Sequence, residues 1–230
     1  MTRIGLLECD HVDERFRDVT DDYATLFATL LPDVELVPFD VINGQLPKQA
    51  DECDGWVATG SRHSVYEDLE WIKATGAFIR DVRDAEVPFV GVCFGHQLLA
   101  HGLGGEVRRL DGGWGAGIHQ LDIVRREPWM EPAADACRLH FMHQDQVVRA
   151  PDGAVVLGCA PHCEVAMFRV GDAMLGVQAH PEFTVAYAEA LLSDRTDRIG
   201  GDQAAAALAS LTTPTDEAIV ARWMARFLTS

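Results

Sequence analysis

The sequence has 230 residues, 48% of them hydrophobic, which is enough for one large domain with a substantial core. Its formal charge of −17 at pH 7 repels DNA, RNA and anionic lipid, which argues against those partners. No run approaches the roughly 18 apolar residues of a membrane span.

Six cysteines stand at Cys9, Cys53, Cys93, Cys137, Cys159 and Cys163. None forms a CxxC pair. Cys159 and Cys163 lack a second ligand pair at zinc-site spacing, so no metal site is expected. A long chain with a good core and no signal-peptide pattern points to free thiols in a reducing cytoplasm.

The first half alternates strands and helices. Arg3–Leu7 is a short apolar strand. Phe16, Val19, Tyr23, Leu26, Phe27 and Leu30 follow at helical spacing, and Pro32 stops the helix. Strands are expected at Val34–Pro38, Gly55–Ala58 and Phe89–Val92. Helices are expected at Leu69–Val82 and Gln97–His101. This order predicts an α/β fold with a mostly parallel central sheet flanked by helices. Between about 105 and 180 the pattern changes to short β-like runs punctuated by Gly, Pro and Asp, a β-rich insertion of hairpins. Thr184–Leu192 and Glu217–Leu228 read as helices. Asp194–Gly201 reads as a polar loop, and Ala204–Ala207 as a helix former. The whole is expected to be a single domain, with residues 1–195 as core and 196–230 as a C-terminal helical extension.

Two segments carry chemistry. An apolar strand runs into Gly91, Val92, Cys93, Phe94 and Gly95. Glycines two residues either side of a nucleophile are the spacing of a sharp strand-to-helix elbow. Such a turn projects the sulfur out of the sheet, and the helix N-terminus favours thiolate. The Phe94 N–H would then face a developing oxyanion. Downstream stand His180, Pro181 and Glu182. In extended backbone, residues two apart share a face. His180 could therefore serve as base and Glu182 as its orienter, the roles that a cysteine hydrolase needs. Alone, the first segment could be a buried structural cysteine, and the second a casual surface pair. Together they favour catalysis. Thr59, Gly60 and Ser61 end another strand of the same sheet, where the Gly60 N–H could complete an oxyanion hole.

At these residues the chain resembles the class I glutamine amidotransferase family. The matching pieces are Thr59-Gly60-Ser61, the run from Gly91 to Gln97, His180-Pro181-Glu182, and a His-x-Asp-x-Val stretch at His143, Gln144, Asp145, Gln146 and Val147. Ser64-Val65-Tyr66 is similar to the glutaminase domain of GMP synthetase and its stand-alone relatives. The resemblance covers residues 1 to roughly 195. It implies the family's flavodoxin-like fold and a catalytic Cys93–His180–Glu182 triad. It also implies an oxyanion hole at Gly60 and Phe94, and substrate contacts at Gln97, His143, Gln144 and Asp145. Glutamine would be hydrolysed to glutamate and ammonia through a γ-glutamyl thioester, without cofactor or metal.

Three features depart from the family's pattern. Glu8-Cys9-Asp10-His11 stands where an aromatic-glycine pair is usual. His96 stands where a hydrophobe is frequent, and reads as a helix-surface residue. No Ser-Gly-Gly-x-Asp phosphate loop or Walker sequence is present, so ammonia made here would need a separate synthetase subunit. The alternative activity is that of a γ-glutamyl peptidase. A non-catalytic binding or regulatory module is a further alternative.

Overall fold

The computed structural model describes residues 1–109 and 113–229. Strands β1 (Arg3–Leu7), β2 (Glu35–Phe39), β3 (Gly55–Ala58), β4 (Phe89–Val92) and β11 (Met174–Val177) pair in parallel, in the order β2-β1-β3-β4-β11. The sheet continues antiparallel through β10 (Cys163–Val170), β9 (Ala154–Ala160), β6 (Gly115–Ile123) and β7 (Ala136–His143). A separate antiparallel pair joins β5 (Glu106–Arg109) to β8 (Asp145–Arg149). The fold is thus a mixed sheet with a parallel core flanked by helices.

Both faces of the parallel strands are covered, which is why β3 and β4 are apolar at every position and buried throughout. Successive side chains go to opposite layers. Trp56, Ala58 and Phe89 join a core completed by α2 (Glu70–Asp84) and α3 (Phe94–Gly102). Val57, Val90 and Val92 join the core on the other face. There α1 (Tyr23–Leu30), α4 (Val185–Asp194), α6 (Gly201–Ser210) and α7 (Glu217–Leu228) pack. α2 buries Ile72, Phe78, Ile79 and Val82 and turns its charges outward. No helix among the described residues is long and apolar enough to cross a membrane.

Three expectations change. The helix read from Phe16 onward is broken. A 3-10 turn at Glu14–Phe16 ends, and α1 begins only at Tyr23. The cause is Asp22, whose carboxylate accepts the Tyr23 and Val12 N–H groups and caps the new helix. The polar stretch from Asp194 to Gly201 is not a plain loop: a short helix, α5 (Thr196–Ile199), buries Ile199 and stops at Gly200, which has φ +97°. His96 is not on a helix surface. It is fully buried, its ring 5.0 Å from that of Phe168, because α3 is wedged between the sheet and the β5–β8 pair.

Candidate active site

β4 ends directly in Cys93, and α3 starts at the next residue. Cys93 has φ +52°, a conformation that costs a non-glycine residue about 1–3 kcal/mol and persists only when its surroundings impose it. The surroundings are backbone packed on backbone. A Cβ on Gly91 would stand 2.4 Å from the Gly95 carbonyl carbon and oxygen, and one on Gly95 2.5 Å from the Ala58 oxygen. The two glycines therefore let the elbow close against itself and against β3. Gly91→Ala is expected to cost about 3 kcal/mol, at the upper end of overpacking. Thermal denaturation checks this, and an unchanged Tm would mean that the elbow yields freely.

The parallel pairing of β4 with β11 brings the second segment in. Val92 is in register with Val177, and the Cys93 N–H donates to the Val177 carbonyl (2.9 Å). The chain beyond β11 then runs past Cys93. The His180 N–H donates to the His140 carbonyl of β7 (2.8 Å), and the two residues form an isolated antiparallel bridge. Cys93, His180 and Glu182 are thereby brought together, although 87 positions (180 − 93) separate the thiol from the ring. His180 Nδ1 donates to Glu182 Oε1 at 2.7 Å, and the Cys93 sulfur stands close enough to the ring to act on its charge. Phe183 stacks on the imidazole at 3.9 Å between centroids and 19° between planes.

All three groups are nearly buried. Burial by itself would lower the His180 pKa. The adjacent Cys93 sulfur and Glu182 carboxylate outweigh it and push the pKa up to about 10. The second Glu182 oxygen is buried without a partner among the described residues, so the carboxylate is held by the imidazole alone.

Gly60 lies against this pair: a Cβ there would approach His180 Cε1 to 2.9 Å and Cys93 Cβ to 3.7 Å. The Gly95 N–H is taken by the Thr59 carbonyl (3.1 Å), whereas no such backbone acceptor is found for the Phe94 or Gly60 N–H among the described residues. The remaining residues singled out in the sequence form a connected cluster beside Cys93. Gln97 Nε2 donates to the Asp145 carbonyl (2.8 Å) and to Gln178 Oε1 (3.0 Å). His143 Nδ1 donates to the same carbonyl (3.0 Å). The Asp145 carboxylate accepts from Ser64 Oγ (2.5 Å) and the Tyr66 hydroxyl (3.0 Å), tying the loop after Gly60 to β8. Burial, then the neighbouring His162, holds His143 well below the usual imidazole range, so it is neutral. Gln144 lines the same cavity, of about 110 Å³. Among the described residues no group of three or more His, Cys, Asp or Glu could hold a metal ion.

A second cavity of about 120 Å³ adjoins the first, sharing Cys93, Arg62, Met142, Arg195 and Arg198 in its wall, and contains His180, Phe183, Tyr23 and Tyr187. Asp10 and His11 sit in its wall as ion-pair partners: Asp10 with Arg62, and His11 with Asp22 and Asp40. Sequence reasoning missed Gln178, Arg195 and Arg198 at the site. Gln178 had a signal, since it lies two residues before His180 on the same extended segment. Arg195 and Arg198 had none, because their position depends on how α4 and α5 pack.

Comparison with known proteins identifies the family. A family model described as glutamine amidotransferase class-I matches residues 19–196. Gamma-glutamyl peptidase 4 of Arabidopsis thaliana is 31% identical over 186 residues, covering 77% of this chain and 72% of that protein. GMP synthase (glutamine-hydrolyzing) of Neisseria gonorrhoeae is 32% identical over 152 residues, covering 64% of this chain and only 27% of that protein. A glutamine amidotransferase structure from Methylobacillus flagellatus superposes with a TM-score of 0.75 at 21% identity, covering 99% of this chain and 94% of that one. A family-model match over residues 19–196, most of the chain, places it in one family: it is a member of the class-I glutamine amidotransferases.

Proposed function

We propose that the protein hydrolyses γ-glutamyl amide bonds, with Cys93 as nucleophile, His180 as proton carrier and Glu182 as orienter. The observation that carries this reading is the buried line from Cys93 through His180 to Glu182, closed by a 2.7 Å hydrogen bond. Cys93 Sγ attacks the γ-carbonyl carbon, forming a C–S bond. The oxyanion is received by the Phe94 and Gly60 N–H groups. As the C–N bond breaks, His180 gives its proton to the leaving nitrogen. Water, deprotonated by His180, then attacks the thioester; the C–S bond breaks and glutamate leaves. Gln97, His143, Gln144 and Asp145 hold the glutamyl half on the side away from His180. We take residues 1–230 as one domain. Its support is a core cluster in which Ile4 and Leu6 join Trp223 and Phe227 of the helical extension.

The leaving group distinguishes two substrates. For glutamine it is ammonia, a reading supported by the similarity to GMP synthase and in keeping with a separate synthetase subunit. For a γ-glutamyl peptide it is an amino acid or peptide. That second reading is favoured by the similarity to γ-glutamyl peptidases and by the open cavity on the His180 side of Cys93, where a leaving amine would lie. A substrate panel decides: ammonia release from glutamine against amine release from γ-glutamyl peptides, on the parent and on Cys93→Ala. A kcat/KM favouring peptides and abolished in Cys93→Ala is expected. Fast iodoacetamide labelling should also mark one cysteine and vanish in that variant. Equal labelling or undiminished turnover without Cys93 would overturn its assignment as nucleophile, and a parent with no turnover at all would leave a binding module as the better reading.

A further inference from the structure

The chain carries a charge of −17, yet four arginines, Arg15, Arg62, Arg195 and Arg198, line the cavity on the His180 side of Cys93. Two are neutralised locally. Arg15 donates to Asp13 and to Asp194, the latter at 2.6 Å. Arg62 Nε donates to both Asp10 oxygens, at 3.0 and 2.8 Å, and its Nη2 donates to the His11 carbonyl. The carboxylates of this wall are thereby satisfied as well.

Arg195 and Arg198 differ. Neither has a carboxylate partner among the described residues. The Arg198 guanidinium lies 5.3 Å from the centroid of the Trp114 ring, and Arg195 is half-buried beside it. Burial, with the repulsion of Arg198, lowers the Arg195 pKa against the opposing pull of Tyr23, Tyr187 and Cys93. A guanidinium keeps its charge in such a place, so the half-buried Arg195 faces the site at a desolvation cost, with the exposed Arg198 beside it. A bound anion would relieve that cost, and a planar carboxylate suits the fork.

The side of the site matters. Arg195 and Arg198 line both cavities, standing where they meet at Cys93. Of the groups that act on the charge of Arg195, Tyr23 and Tyr187 line the cavity of His180 and not that of Gln97 and His143, and His180 is the group that protonates the leaving nitrogen. Ammonia leaves nothing for a guanidinium to hold; an amino acid or peptide leaves a carboxylate. We propose that Arg195, supported by Arg198, binds a carboxylate on the leaving-amine half of the substrate. Preferred substrates would then be γ-glutamyl amino acids and short γ-glutamyl peptides. This inference rests on the Cys93 chemistry proposed above and adds the residues that select the substrate.

The test compares γ-glutamylglycine with γ-glutamylglycinamide, whose leaving amines differ only in the carboxylate. The parent should favour the former by about tenfold to a hundredfold in kcat/KM, the range of a charge-assisted contact. In Arg195→Gln this ratio should fall toward one, chiefly through KM, and Arg195→Lys should restore part of it. Arg198→Gln should lower the ratio less, and it decides the matter should Arg195→Gln fail to fold. A parent ratio of one overturns the inference while leaving γ-glutamyl hydrolysis standing. So does an equal loss of both substrates in the variants, which would put the arginines on the glutamyl half. If the parent turns over no γ-glutamyl compound, the Cys93 reading falls and this inference falls with it.

Discussion

Glu182→Gln is expected to keep the fold and lose about a thousandfold or more in kcat for γ-glutamyl hydrolysis. The two side chains have the same shape, so packing beside Phe183 should survive. The chemistry changes in two ways. Glu182 Oε1 accepts the Nδ1 proton of His180 at 2.7 Å, which leaves Nε2 for the thiol. An amide can instead present its NH₂ to Nδ1, which stabilises the tautomer that carries its proton on Nε2. That imidazole cannot accept from Cys93. The substitution also removes one of the two anions that raise the His180 pKa from 6.5 to about 10, so the alkaline limb of the pH profile should move to lower pH.

The sign of the stability effect follows from the same shift. A base whose folded pKa is raised contributes stability that is whole below its unfolded value near 6.5 and is lost as pH rises through about 10. The parent should therefore lose more Tm than Glu182→Gln between pH 7 and pH 10. Turnover against pH and Tm at both pH values check this. Undiminished turnover in the variant would contradict the role given to Glu182.

Below pH 6.5 the protein is expected to destabilise steeply. His96 and His140 are buried, and burial pushes their pKa values down to about 3 and about 4. The charge of His180 adds to the effect at His140. In the unfolded chain both take up protons near pH 6.5; in the folded one they do not. Their contribution is present above pH 6.5 and is lost as pH falls toward those folded values. Each histidine then costs about 1.4 kcal/mol per pH unit, so two cost on the order of 5 kcal/mol by pH 4.5. That is comparable with the whole stability of many domains. Tm measured from pH 7 to pH 4.5 should fall steeply, and His96→Leu should remove about half of the slope from this pair. A flat profile would mean that the imidazoles reach water or other partners as the pH drops.

What was legible in the sequence was what neighbours along the chain decide. The alternation of apolar strands with helical spacing announced the parallel half of the sheet. The elbow was legible because Gly91 and Gly95 flank Cys93 at two residues, and a turn that sharp admits no Cβ at either place. His180 and Glu182 were legible as a pair because extended backbone puts them on one face. The failures have one common cause. His96 looked solvent-facing because helical periodicity registers one apolar stripe, and α3 is buried on several sides by the central sheet and the β5–β8 pair together. α5 looked like loop because its residues are polar, and it is held by one buried side chain, Ile199.

By itself, then, the sequence determined the parts: a strained cysteine turn, a histidine with its carboxylate, and a glycine-ended strand. Their meeting was decided by strand order, since only the parallel pairing of β4 with β11 sets Cys93 beside the chain that leads to His180. The basic wall formed by Arg195 and Arg198 was likewise a product of tertiary packing. The reason is physical: local backbone sterics act over a few residues and can be read in order, whereas burial and charge in a cavity depend on segments that meet only once the sheet has closed.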